Sequence, residues 1–192
     1  MKKYLILTLL LPALSLAQQA KPLLDAFPIK DGKVYYERIV DIDSVSKTEL
    51  FKRAKVWALS SFASQKSALQ SEDKEIGLLN YKTYITEAFE NPKMYGIKLG
   101  PTYGKFWFTI TFYFKEGRAK IVFDNVSIED ETDIENYEYL IQKSTPKSMK
   151  KRGYDKQMLQ EAMVTFKKVN ARFNELMEDC AKALSTKSEA DF

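Results

Sequence analysis

The chain has 192 residues, of which 45% are apolar and 13% aromatic, so it is long enough to bury the core of one domain. A formal charge of +4 is no indication of nucleic-acid binding, because clustering of charge matters more than its sum. The absence of histidine excludes His-based catalytic triads and His metal sites, and a single cysteine, Cys180, excludes an internal disulfide.

The N-terminus has the pattern of a secretory signal peptide. Lys2 and Lys3 precede an apolar run over residues 4–11, and small residues lead up to a cleavage site near Ala17. The run is shorter than the roughly 20 apolar residues that a membrane span needs. The sequence therefore predicts an exported protein, either periplasmic or secreted.

Four segments are predicted along the chain. Residues 1–17 are the signal peptide, and residues 18–33, which contain proline and glycine, are an extended N-terminal tether. Residues 34–184 are expected to form one α+β domain, and residues 185–192 a polar tail.

The first strand and helix follow the tether. Residues 34–42 are rich in β-branched and aromatic side chains, which favours a strand. Ser46 and Glu49 form a capping box, and apolar residues at helical spacing predict a helix over residues 47–63. The polar segment 64–75 is predicted to be a frayed helix end and a loop.

Three further strands are predicted next. Residues 78–89 alternate with a period of two, as do residues 105–115, in which Phe106, Phe108, Ile110, Phe112 and Phe114 share the face we expect to be buried. A tight turn at Glu116-Gly117 predicts that residues 118–128 return as a hairpin partner. Asp124-Asn125 interrupts the alternation and indicates a β-bulge or a strand end.

A long helix over residues 155–184 is predicted to end the domain. Its apolar seam steps by three and four through Leu159, Ala162, Phe166, Val169, Phe173, Leu176, Cys180 and Ala183. At about 1.5 Å per residue the helix is roughly 45 Å long, so it is expected to overhang the sheet. The fold class is therefore α+β, an antiparallel sheet of four to five strands with two helices on one face, in the order β-α-β-β-β-α.

This order of elements resembles an exported bacterial family, domain-of-unknown-function family 4468, which has a TATA-binding-protein-like (TBP-like) fold and is common in Bacteroidetes. The residues that carry the resemblance are FPIKDGKVYYERIVDIDSVSKTELFKRAKVWALSSF (27–62), LLNYKTYITEAF (78–89) and FWFTITFYFKEGRAKIVFDNV (106–126). The resemblance implies the fold and an exported location, and it provides no catalytic residues. An exported chain near neutral charge does not meet chromosomal DNA, so the fold name implies no nucleic-acid partner.

The sheet face opposite the helices is the candidate site for a ligand or partner. Its predicted members are Trp107, Thr109, Thr111, Tyr113, Tyr84, Lys82 and Tyr35. Aromatic rings with a polar group suit the docking of carbohydrate, peptide or protein. The alternative is a solvated face of strand-favouring residues, or a face covered by residues 129–152.

Two charged segments and two kinds of reactive side chain are further candidate sites. The acidic run Glu129, Asp130, Glu131, Asp133 and Glu135 could bind calcium but lacks the spacing of an EF-hand, so a solvated loop is favoured. The basic cluster Lys143, Lys147, Lys150, Lys151 and Arg152 allows at most peripheral contact with anionic lipid, the alternative being charge balance within the loop. Cys180 lies on the apolar seam and is predicted to be a structural thiol. Glu37 and Asp41 share a strand face, which is weak support for carboxylate catalysis.

Three functions follow in order of preference. The first is a non-enzymatic binding module of the bacterial cell envelope, whose partner is an envelope protein, a peptide or a glycan. The second is a structural or assembly protein that pairs through residues 173–184 of the last helix, and the third is a carboxylate-based hydrolase. We predict no catalytic residue, no metal and no cofactor.

Overall fold

The computed structural model describes residues 27–62, 68–89, 93–94, 97–98, 102–129, 134–136 and 156–186. The predicted signal peptide, the basic cluster at residues 143–152 and most of the polar tail lie outside the described residues. Within them, neither helix combines the length and the apolar character needed to cross a membrane.

The described elements are ten strands and two helices. In chain order they are β1 (Ile29–Lys30), β2 (Lys33–Val34), β3 (Tyr36–Asp41), α1 (Lys47–Ser61), β4 (Ala68–Asp73), β5 (Leu78–Phe89), β6 (Lys93–Met94), β7 (Ile97–Lys98), β8 (Thr102–Lys115), β9 (Arg118–Glu129), β10 (Ile134–Asn136) and α2 (Lys156–Ser185). β1 with β2 and β6 with β7 form separate two-stranded hairpins.

The other six strands form one antiparallel sheet. β5, β8 and β9 lie side by side at its centre, and β4 pairs with the free edge of β5. β3 and β10 both pair with β9, β3 along Arg118 to Phe123 and β10 along Ser127 to Glu129. The predicted α+β class, with helices on one face of an antiparallel sheet, is confirmed.

Both helices pack on the phenylalanine face of β8. Phe106, Phe108, Ile110 and Phe112 are fully buried there, as the period-two pattern predicted. The ring of Trp57 on α1 lies 6.1 Å from that of Phe112, and the ring of Phe173 on α2 lies 4.9 Å from that of Phe108. The core therefore lies between this sheet face and the helix layer.

Helix α1 begins at the predicted cap. The amide of Glu49 donates to Oγ of Ser46 at 3.2 Å, which satisfies one of the free donors of the first turn. The Glu49 carboxylate accepts from Nε of Arg53, one turn later, at 2.8 Å.

The seam of α2 is buried within the chain. Phe173, Leu176, Cys180 and Leu184 are each at most 8% exposed, because this half of the helix lies against α1 and the sheet. Two polar contacts fix it there: Nε1 of Trp57 donates to Asp179 and Nη1 of Arg53 donates to the carbonyl of Leu184, both at 2.9 Å. The prediction that residues 173–184 are free to pair with a partner helix is therefore wrong.

Two short segments differ from their predicted form. Ala68–Asp73, predicted to be loop, is the edge strand β4, whose polar side chains carried no alternating apolar signal. The described part of the predicted tether contains the β1–β2 hairpin, and Phe27 is buried with its ring 6.0 Å from that of Phe166.

A β-bulge interrupts the pairing of β8 with β9. Trp107 pairs with Ser127 and Thr109 with Asp124, so two residues of β9 oppose Phe108 alone. Asn125 takes a left-handed conformation there, with φ of 51°. The bulge confirms the predicted interruption at Asp124-Asn125. Beyond it, the odd-numbered residues of β9 lie on the face that the even-numbered residues occupy before it.

Candidate functional site

The sheet face opposite the helices, called the open face below, carries the predicted site residues. Cross-strand pairing sets Tyr84 beside Trp107 and Lys82 beside Thr109. These side chains alternate with the buried ones along β5 and β8 and therefore point away from the helix layer. The structure thus places the predicted residues on one face; their role in binding stays a prediction.

One end of the open face is an aromatic and charged group that we call the tryptophan cluster: Trp107, Tyr84, Lys82, Lys105 and Glu129. The rings of Tyr84 and Trp107 are 4.8 Å apart and inclined at 56°. Nζ of Lys82 lies 5.8 Å from the centre of the Trp107 ring, and Nζ of Lys105 lies 5.6 Å from that of Tyr84, which are cation–π contacts.

Glu129 ties the tryptophan cluster together. Its carboxylate accepts from Nε1 of Trp107 and from Nζ of Lys105, the latter at 2.8 Å. The bond from Lys105 is the main cause that lowers the pKa of Glu129, and Glu129 in turn raises the pKa of Lys105. Both groups are therefore charged at neutral pH, and the indole ring is held in one orientation.

The other end is the tyrosine cluster: Tyr113, Lys120, Glu37, Tyr35 and Lys30. Nζ of Lys120 lies 5.3 Å from the centre of the Tyr113 ring and 3.1 Å from the Glu37 carboxylate. The Tyr35 hydroxyl donates to the same carboxylate at 3.0 Å, and Nζ of Lys30 lies 4.5 Å from the centre of the Tyr35 ring. Partial burial, with this bond to Glu37, raises the pKa of Tyr35 to about 12.

The threonines between the clusters differ in exposure. Thr109 is half-buried, whereas Thr111 is only 7% exposed and its Oγ1 accepts from the Asn80 amide at 2.9 Å. The prediction that Thr111 belongs to the accessible surface is therefore corrected, because neighbouring side chains cover it. Trp107, Tyr113, Tyr84, Lys82, Thr109 and Tyr35 keep exposed area on this face.

Five charged residues of the clusters, Lys30 on β1 among them, were not among the predicted site residues. Lys105, Lys120 and Glu37 lie on three different strands. The residue pattern of one strand does not show how that strand is aligned with its neighbours. The acidic run predicts a loop at Glu129, whereas the structure has it as the last residue of β9. A perfect ladder from the Lys115–Arg118 turn would set Ile128 opposite Lys105, and the bulge brings Glu129 there instead. The predicted bulge was thus the one available signal for Glu129.

The remaining candidates for reactive groups are engaged or buried. Burial raises the pKa of the Cys180 thiol well above its usual range, which fits a structural thiol. Glu37 and Asp41 do not act as a pair, since Glu37 binds Lys120 and Asp41 binds Arg118. In the part of the chain that the structure describes, no three His, Cys, Asp or Glu side chains are grouped so as to hold a metal ion.

A cleft of about 260 Å³ lies elsewhere, between β3 and α2. Its walls include Tyr36, Arg38, Asn174 and Glu178. The Tyr36 hydroxyl donates to Asn170 at 2.7 Å, and Arg38 pairs with Glu178, so these polar groups of the cleft already have partners within the chain. The open face is therefore the better candidate.

The arrangement of strands and helices has known counterparts. Residues 36–129 match the family model described as "Domain of unknown function (DUF4468) with TBP-like fold". This segment of the chain is similar to the DUF4468 family. It contains β3 to β9 and with them both clusters except Lys30 and Tyr35, so most of the candidate site lies within the matched segment.

Two crystal structures share this fold. A DUF4468 family protein from Bacteroides ovatus superposes with a TM-score of 0.61 at 16% identity, over 84% of this chain and 91% of that one. A TBP-like protein from Parabacteroides distasonis gives a TM-score of 0.54 at 19% identity, over 81% of this chain and 97% of that one. At these identities the likeness shows the TBP-like fold alone. A search of curated proteins returned no match.

Proposed function

We propose that the protein is an exported, non-enzymatic binding module of the bacterial cell envelope and that it acts through the open face. The observation that carries the proposal is the pair of clusters built around Trp107 and Tyr113. Both combine aromatic rings with charged groups on a surface that the helix layer leaves free. Tyr113 is a large aromatic residue on a central strand, and its side chain is nevertheless 48% exposed.

A binding role is supported by the rigidity of this surface. Strand β8 is paired on both sides, β5 is paired with β8 along its length and with β4 along Leu78–Lys82, and cross-strand contacts hold the tryptophan ring in place. A surface whose side chains are already ordered loses little conformational freedom when a ligand binds.

A non-enzymatic role is supported by the state of the ionisable groups. Hydrogen bonds from Lys120 and Tyr35 lower the pKa of Glu37, so its carboxylate is not suited to donate a proton near neutral pH. The absence of histidine removes the most common general base, and the buried Cys180 is not accessible as a nucleophile.

Export is supported by the sequence of the first 17 residues, with two lysines before a short apolar run. Cell fractionation tests this part of the proposal directly. We expect the mature protein in the envelope or the medium, with an N-terminus near Gln18. A full-length chain in the cytoplasm would contradict export.

Photocrosslinking in intact cells tests the binding face. The crosslinking residue p-benzoylphenylalanine replaces either Tyr113 on the open face or Val164 on α2, two positions that are 48% and 43% exposed. We expect an adduct with an envelope component from position 113 and none from position 164. The substitution Trp107→Ala, added to the first variant, should remove the adduct while circular dichroism shows an intact fold.

Two results would count against the proposal. Equal adducts from both positions would mean that contact is not specific to the open face. No adduct from position 113, in cells that export the folded protein, would mean that this face is not occupied.

A further inference from the structure

A ligand that lies on the open face meets side chains and not backbone. β8 pairs with β5 and β9, and β5 pairs with β8 along its length and with β4 along Leu78–Lys82. Peptides that bind by adding a strand need a free sheet edge. A ligand that lies on the face, and not along an edge, is therefore recognised by side chains, which disfavours an extended peptide there.

The rings of the two clusters suit a ligand with alternating apolar and polar surface. Trp107 and Tyr84 offer aromatic surface at one end and Tyr113 at the other, with the partly exposed Thr109 between them. Sugar rings present C–H groups on their faces and hydroxyls on their rims, which match aromatic rings and the hydroxyls of Thr109 and Tyr113. Trp107 and Tyr113 are six residues apart on β8, or about 20 Å along the strand, so one ligand touching both must be an oligomer.

The charges at the two ends of the open face differ. In the tryptophan cluster Lys82 and Lys105 lie beside one described carboxylate, that of Glu129, whereas the lysines of the tyrosine cluster share their end of the face with Glu37 and with Asp124, whose charge acts on Tyr35. The tryptophan cluster therefore has one positive charge in excess, and the charges of the tyrosine end balance.

Lys82 is a lysine of the tryptophan cluster that a ligand can reach. Its side chain is exposed, and it has no carboxylate partner among the described residues. Its Nζ lies 5.8 Å from the centre of the Trp107 ring, near the outer limit of about 6 Å for a cation–π contact. The ammonium group is therefore free to turn toward an anion bound on that ring.

From these features we propose that the open face binds an acidic polysaccharide, a chain of sugar rings that carries carboxylates, as a polyuronide does. Sugar rings lie on Trp107 and Tyr113, and a ligand carboxylate meets Lys82 at the tryptophan cluster. The inference rests on the proposed function and names its ligand class.

Three polymers test the chemistry with the purified protein. Polygalacturonate carries rings and carboxylates, its fully methyl-esterified form carries the same rings without charge, and poly-glutamate carries carboxylates without sugar rings. We expect polygalacturonate to bind, by calorimetry or affinity electrophoresis, and the other two to bind at least about tenfold more weakly.

Substitutions locate the site. Lys82→Gln should weaken polygalacturonate binding about tenfold, and Trp107→Ala should abolish it. Lys167→Gln, which changes an exposed lysine of α2 in the helix layer, is the matched control and should bind as the original protein does.

The outcomes separate this inference from the proposed function. Equal binding of poly-glutamate, equal binding of the methyl ester, or an unaffected Lys82→Gln variant would each overturn the acidic-polysaccharide inference. If polygalacturonate does not bind but position 113 still crosslinks in the envelope, the ligand class is wrong and the binding face stands. If both experiments fail, both proposals fail.

Discussion

Gly77 ends the turn between β4 and β5 and thereby sets the position of the strand that carries Lys82 and Tyr84. Its φ is 76°, in the left-handed region, and its carbonyl accepts from the amide of Phe114 at 2.8 Å. A Cβ added at this position would lie 2.5 Å from the carbonyl oxygen of Phe114, closer than real Cβ contacts allow. We therefore expect Gly77→Ala to be strongly destabilising.

Gly32 is the natural control for this substitution. Its φ is also 76°, in the turn of the β1–β2 hairpin, but a Cβ there would meet nothing within 4 Å. The left-handed conformation costs an alanine about 1–2 kcal/mol at either position. The effect of alanine on the unfolded chain is common to both variants and cancels in their comparison.

The close contact with Phe114 separates the two variants. Forcing a methyl group against backbone adds about 1–3 kcal/mol, so the free energy of unfolding should fall by that much more in Gly77→Ala than in Gly32→Ala. Urea denaturation followed by circular dichroism measures both values. A difference below about 0.5 kcal/mol, which is within the usual effect of a surface substitution, would refute the reasoning.

Two further predictions concern ionisable groups. Cys180 is fully buried and its pKa is raised, so a thiol reagent such as DTNB should label the native protein only as it unfolds. Labelling should be complete in urea. Rapid labelling of the native protein would contradict the position of Cys180 in the core. Lys120 and Tyr35 lower the pKa of Glu37 in the folded state. Their bonds to the Glu37 carboxylate therefore stabilise the fold above the ordinary carboxyl pKa of about 4.3. This stabilisation is lost as the pH falls from that value through the lowered pKa. Glu37→Gln should therefore lose less stability between about pH 5 and pH 3 than the original protein, and an unchanged acid dependence in denaturation curves would count against this contribution.

The patterns of single elements gave correct predictions where burial alone decides structure. The alternation of Phe106 to Phe114 predicted the buried face of β8, and Ser46 predicted the start of α1. The helix predicted over residues 155–184 is observed as Lys156–Ser185. In each case the signal is local, since neighbouring residues share one environment.

Features that depend on distant residues were not predictable in this way. The alternation of β8 places Thr111 on the open face, but its burial depends on Asn80 and its other neighbours across the sheet. The seam of α2 indicated a helix with one apolar side, and only the positions of Trp57 and Arg53 on α1 show that this side is filled by the chain itself. The charged side chains of the open face are brought together by the register between neighbouring strands, which the bulge in β9 changes.

The bulge at Asn125 divides β9 into two parts whose side chains alternate with opposite parity. Before it, Lys120, Val122 and Asp124 lie on the open face, and after it Ser127 and Glu129 do, so the extra residue exchanges the parity of the strand. Loss of the one extra residue here would remove the bulge and leave Ser127 opposite Trp107 and Glu129 opposite Lys105. Loss of a residue elsewhere in β9 would instead exchange the faces of the residues that follow it. In an alignment with DUF4468 domains, a gap of one residue at this position is therefore compatible with an unchanged polarity pattern after it.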